Sequence, residues 1–137
     1  MTGEQLAESL LRGVDDEQTE AATRLLGAYR SGYWLRRLAE DQGLAMVSHF
    51  PLVNRSGNHP SVEWEAVQIL LARSPALFRA SDSELAILEI AVSLAADLPI
   101  RLGTALCAMD STELELVLKA LKDAGPGRLI PLPSAHA

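Results

Sequence analysis

The stretch Ser81-Asp82-Ser83-Glu84-Leu85-Ala86-Ile87-Leu88-Glu89-Ile90-Ala91-Val92-Ser93-Leu94-Ala95-Ala96 decides the fold. Ser81 and Glu84 stand at capping-box spacing, so a helix opens there. From Leu85 to Ala96 only Glu89 and Ser93 interrupt the apolar run, and the apolar positions surround the helix. A helix that is apolar all round belongs in the middle of a core or at a subunit interface, and the sequence leaves both destinations open.

Further signals on either side extend this reading. Pro99 restarts the chain, and 100–108 reads as a short helix. Asp110 and Glu113 form another capping box, opening a helix that runs to Ala124 and stops at Gly125, with Leu114, Val117, Leu118 and Leu121 as its apolar stripe. Toward the N-terminus, Thr2 with Gln5 predicts a helix over about 3–13. Asp15 with Gln18 predicts a second, presenting Ala21, Leu25, Ala28 and Tyr29. Gly32 breaks that helix before the pattern resumes from Tyr33 to Gly43. Pro60 or Ser61 starts a helix carrying Trp64, Val67, Leu70 and Leu71, ended by Pro75. Residues 44–60 are the least regular, with Met46 to Phe50 read as a short extended segment. The expected fold is all-α: one domain over 1–125, a bundle of five to six helices with a short extended segment at 45–50, and a Pro-rich extended tail over 126–137.

Composition agrees with packed helices. The chain has 137 residues, 48% of them apolar but only 4% aromatic, so Leu, Ala, Ile and Val must build the core. The net charge is -6. It is unevenly spread: a middle segment, 24–79, carries seven basic and four acidic residues between two acidic flanks. This balance disfavours a dedicated nucleic-acid binder. Cys107 is the only cysteine, which points to a reducing compartment. With no basic-then-apolar leader and no long apolar run, a cytoplasmic protein without a membrane span is expected.

Two surfaces carry the functional reading. The first is the segment Tyr29-Arg30-Ser31-Gly32-Tyr33-Trp34-Leu35-Arg36-Arg37, joined by Arg55 from the basic middle. Arginines beside aromatics bind phosphate, stack on bases or clasp a partner's carboxylates. The blander reading is that Trp34, Leu35 and Leu38 pack inward and the arginines pair with acidic helices nearby. The second is an oligomer interface around Ile87, Ile90 and Leu94, motivated by the excess apolar surface of 84–108.

The remaining constellations are weak. His49, His59 and Glu63 fall short of a zinc set, and no metal or other cofactor is expected. Cys107 sits in an apolar run, where a buried, inert thiol is the ordinary reading. No nucleophile elbow, phosphate-binding glycine loop or metalloprotease motif occurs, so an enzyme is not expected.

Residues 82–132 resemble a winged helix-turn-helix. The cues are the apolar first helix ending at Leu94, Leu98-Pro99-Ile100-Arg101-Leu102, a short helix through Ala105-Leu106, and Leu118-Lys119-Ala120-Leu121-Lys122-Asp123-Ala124-Gly125 as the end of a recognition helix. Arg128 to Leu132 stands where a wing strand would be. The resemblance implies DNA contacts from Ser111, Thr112, Lys119 and Lys122, although Asp110, Glu113 and Glu115 would face the phosphates. Tyr33-Trp34-Leu35-Arg36-Arg37, Val62-Glu63-Trp64-Glu65-Ala66 and Leu94-Ala95-Ala96-Asp97-Leu98-Pro99-Ile100 together resemble short uncharacterised helical proteins of actinobacteria, a likeness that implies no function. The leading expectation is a non-catalytic interaction or regulatory module that pairs with itself or another protein. A degenerate winged-helix DNA binder is the alternative. A small ligand-binding protein or enzyme built on the 44–60 loop, with His49, His59 and Arg55 converging, is the third.

Overall fold

A computed structural model describes residues 1–125. The expected tail, the wing strand at 128–132 and His136 lie outside these residues. Within them the chain forms eight α-helices: α1 (Gly3–Ser9), α2 (Glu17–Ala28), α3 (Tyr33–Glu40), α4 (Gln42–Ser48), α5 (Trp64–Arg73), α6 (Asp82–Ala96), α7 (Leu102–Cys107) and α8 (Ser111–Ala124). Two-residue strands β1 (Val53–Asn54) and β2 (Ser61–Val62) pair antiparallel, with Val53 opposite Val62. The all-α reading stands, with more and shorter helices than the five to six expected.

The destination of α6 is the core. Every residue from Ser83 to Ala96 is buried or half-buried by its own chain, and Ile87, Leu88, Ala91 and Val92 are fully buried. The helix opens as its sequence requires. The Ser81 hydroxyl accepts the Glu84 N–H at 3.2 Å, and the Glu84 carboxylate accepts the Ser81 N–H at 2.9 Å. The same reciprocal cap opens α1 at Thr2–Gln5 and α8 at Asp110–Glu113. In α2 the cap falls one residue later than predicted: Asp16, not Asp15, accepts the Thr19 N–H at 2.9 Å.

α2 is the second hub, packed against α1, α6 and α8. Its approach to α1 is close because glycines line it. A β-carbon on Gly3 would fall 2.1 Å from the Gly27 carbonyl oxygen and 2.5 Å from the Gly32 nitrogen. Arg30 (φ 47°), Ser31 (φ 57°) and Gly32 (φ 84°) are all left-handed, and this run turns the chain from α2 into α3.

Two local readings are corrected. Residues 45–50 are not extended, because α4 covers 42–48. Asp41 caps it by accepting the Leu44 N–H at 3.0 Å, Leu44 is buried, and His49 ends it in the left-handed region just before Pro51. The extended backbone comes later, at 53–54 and 61–62, where pairing buries Val53 and Val62. Glu63 N–H then donates to the Leu52 carbonyl at 2.9 Å, so α5 starts at Trp64 and not at Pro60.

Candidate functional site

The arginine-aromatic segment folds into an internal knot tied to two capping boxes. The Tyr29 hydroxyl donates to Glu113 Oε2 at 3.1 Å, and the Tyr33 hydroxyl to Glu84 Oε1 at 3.3 Å. Trp34 Nε1 donates to the Glu84 backbone carbonyl at 2.8 Å. Tyr29, Tyr33, Trp34 and Phe78 form an edge-to-face chain, with successive ring centroids 6.4, 5.2 and 5.7 Å apart. Tyr29 and Trp34 are 2% and 0% exposed.

The arginines close this knot from outside. Arg30 pairs with Glu84 Oε2 at 2.6 Å and lies over the Tyr29 ring. Arg37 pairs with Asp41 at 3.0 Å, donates to the Phe78 carbonyl and covers Trp34, its guanidinium 5.2 Å from the ring centroid. Arg36 donates to the Ser31 and Met1 carbonyls, and Arg55 to the Ala39 carbonyl at 3.3 Å. Of the partner surface expected at Tyr29, Arg30, Tyr33, Trp34, Arg36, Arg37 and Arg55, Tyr29 and Trp34 are buried in the core, Tyr33, Arg36 and Arg37 are half-buried, Arg30 and Arg55 are exposed, and all four guanidiniums bond within the chain.

The electrostatics follow the same geometry. Burial and the bond to Glu113 push the Tyr29 phenol from 10.0 up to about 12. The Ser81 N–H, with help from Arg30 and Tyr33, holds Glu84 below the usual carboxylate range against the cost of desolvation. The Leu44 N–H does most to lower Asp41, and Arg37 adds to it.

The interface expected at Ile87, Ile90 and Leu94 is not a surface. Ile87 and Ile90 are buried and Leu94 is half-buried, because neighbouring helices cover α6. The polar pocket expected in the 44–60 loop does not assemble. Arg55 lines a cleft of about 360 Å³ with Arg36, Glu40 and Pro60, and neither His49 nor His59 is among its walls. His59 and Glu63 share no helical turn, since both precede α5.

A larger cleft of about 610 Å³ lies between α6 and α7, lined by Asp82, Glu89, Arg101, Thr104 and Cys107 among others. Burial alone raises the Glu89 carboxyl above its usual range. Cys107 is exposed, contrary to the ordinary reading of its apolar neighbourhood. Among the described residues, no hydrogen bond or ion pair joins these five side chains to one another. They share a wall without forming a proton relay or an activated nucleophile.

The apolar surface that the sequence placed on α6 is on α8. There Val117, Ala120 and Ala124 face inward, while Leu118 and Leu121 are 54% and 43% exposed and Leu114 is half-buried. The stripe predicted at Leu114, Val117, Leu118 and Leu121 is rotated because α8 approaches α2 through small side chains. Ala21 and Ala22 of α2 are buried in the same interior. Leu102 and Leu106 of α7 are also exposed, as are Met46, Val47 and Phe50 at the end of α4. Of the residues expected to touch DNA, Ser111, Thr112, Lys119 and Lys122 are all exposed, but Lys119 is paired with Asp123 at 2.9 Å. They share the outer face with Glu115 and the two exposed leucines.

Comparison with protein families, curated proteins and solved structures returned no match. Among the described residues, no helix is long and apolar enough to cross a membrane.

Proposed function

We propose that the chain is a cytoplasmic, non-catalytic protein-interaction module that docks a partner on the outer face of α8. One observation carries this reading. Leu114, Leu118 and Leu121 recur at four- and three-residue spacing on one side of a 14-residue helix, and the latter two are left largely open. Exposed leucines scattered singly mean little, but a helical row of them beside charged residues has the form of an anchor set. The absorption of the polar-aromatic segment into the fold supports the same reading, since it leaves α8 as the better-organised free surface. The exposed Leu102 and Leu106 on the preceding helix add to the apolar area available.

The test is site-specific photo-crosslinking in cells. A photoreactive residue at 118 or 121 is expected to give discrete adducts, and one at the exposed Glu65 on α5 to give none. Equal, diffuse labelling at all three positions would overturn the proposal.

A further inference from the structure

We infer that the partner on this face is a second copy of the chain, held by antiparallel pairing of α8 with α8. The inference rests on the interaction-module reading and deepens it. Ser111, Leu114, Leu118, Leu121 and Gly125 fall at alternating three- and four-residue spacing, which is the core row of a two-stranded coiled coil. Glu115 and Lys122 each follow a leucine of that row by one residue, so both lie on the same flank of it. Both are exposed, and neither has an ion-pair partner among the described residues.

The charge order selects the partner and its direction. A two-fold axis perpendicular to both helices keeps a flank on its own side and reverses the helix direction. Leu118 then lies beside Leu121 of the second copy, and Leu121 beside its Leu118. The same placement brings Glu115 of each copy to Lys122 of the other, so one apolar row and two ion pairs form together. A parallel pairing would instead turn each flank to the opposite side, setting Glu115 of one copy against the Asp110 flank of the other and Lys122 against the buried Val117, so neither ion pair would form. A lone helix face that carries its own complement in reversed order is self-complementary, as an isologous interface requires. Four turns of helix make a small interface, so the association is weak and concentration-dependent.

The test uses the full chain in sedimentation velocity from about 10 µM to about 1 mM, a range that resolves weak dimers. A monomer–dimer equilibrium is expected, and Leu118→Asp with Leu121→Asp should abolish it without loss of helical circular dichroism. Glu115→Lys alone and Lys122→Glu alone should each weaken self-association about tenfold, as expected when two ion pairs become repulsions. The doubly swapped chain should regain it, and mixing the two single variants should restore it as a heterodimer. In a Cys107→Ser background, Leu118→Cys mixed with Leu121→Cys should oxidise to a mixed dimer faster than either does alone.

A chain that stays monomeric at about 1 mM overturns self-pairing, as does a dimer indifferent to the α8 substitutions. If the monomeric chain still gives a discrete adduct with a different protein from position 118, self-pairing fails while the module reading survives. If no adduct forms and Leu118→Asp lowers the melting temperature, the chain covers this face itself and both readings fall.

Discussion

The phenol of Tyr29 donates to the carboxylate of Glu113 at 3.1 Å, joining residues 84 positions apart. Glu113 is the closing residue of the α8 capping box, where its other oxygen accepts the Asp110 N–H at 2.9 Å. Glu84 does the same work at the start of α6, for Ser81 on one side and for Tyr33 and Arg30 on the other. Two locally encoded helix starts thus become the anchors of a long-range polar network. Glu113 is only 7% exposed, which a carboxylate tolerates because its oxygens are bonded.

Removing the Tyr29 hydroxyl should therefore cost more than its own bond. Tyr29→Phe leaves a buried carboxylate oxygen without its donor, and a loss of about 1–3 kcal/mol is expected. Urea denaturation followed by circular dichroism measures it. In a double-mutant cycle with Glu113→Gln, a coupling of at least about 0.5 kcal/mol is expected. Additive effects would show that the contact contributes no stability of its own.

The pH dependence follows from the same groups. The Tyr29 pKa is raised from 10.0 to about 12, so its contribution is complete below pH 10 and is lost as pH climbs toward 12. Glu84 and Asp41 are shifted the other way. Their contributions are present above the ordinary values of 4.5 and 3.8 and are lost as pH falls through the lower folded values. Stability should fall off on both sides, and Tyr29→Phe should flatten only the alkaline limb between pH 10 and 12. Thermal melts across pH, with phenolate absorbance on the alkaline side, check both limbs.

The parts of the fold that were legible in the sequence are those governed by local chemistry. The Thr2, Ser81 and Asp110 capping boxes each form as spelled, and a helix apolar all round proved to be the core helix. What escaped depends on who packs against whom. Val117 and Leu118 are neighbours of similar hydropathy, and only the approach of α2 decides that Val117 goes in and Leu118 stays out. The arginine-aromatic segment was chemically conspicuous, yet Tyr29, Arg30, Tyr33 and Trp34 find their partners in glutamates 50 to 84 residues away. The candidate site was therefore visible as a set of residues, while the side they face was not. The 3-4 spacing of Leu114, Leu118 and Leu121, beside the inward alanines 120 and 124, was the available signal for it.

Glycines separate the two levels most sharply. Gly3 sits against the Gly27 carbonyl with no room for a methyl, whereas a β-carbon at Gly103 in α7 would meet nothing within 4 Å. Gly3→Ala must push α1 off α2 and should cost about 1–3 kcal/mol. Gly103→Ala removes freedom from the unfolded chain and favours helix, so it should stabilise by about 0.4–1 kcal/mol. Opposite signs for the same chemical change, read from the urea midpoint at constant m-value, are expected. A neutral Gly3→Ala would mean that the close approach of α1 to α2 is not as tight as described.

Glu89 gives the last test, because burial works against its charge. It lines the α6–α7 cleft, has no ion-pair partner among the described residues, and is raised by burial. A raised carboxyl contributes stability below the ordinary value of 4.5 and loses it as pH rises through the folded value. At neutral pH its ionised form is therefore a burden on the fold. Glu89→Gln keeps the shape and removes the charge, so the variant should melt higher than the parent at pH 7 and converge with it at pH 4 and below. A variant that melts lower at pH 7 would show that the ionised carboxylate is no burden on the fold.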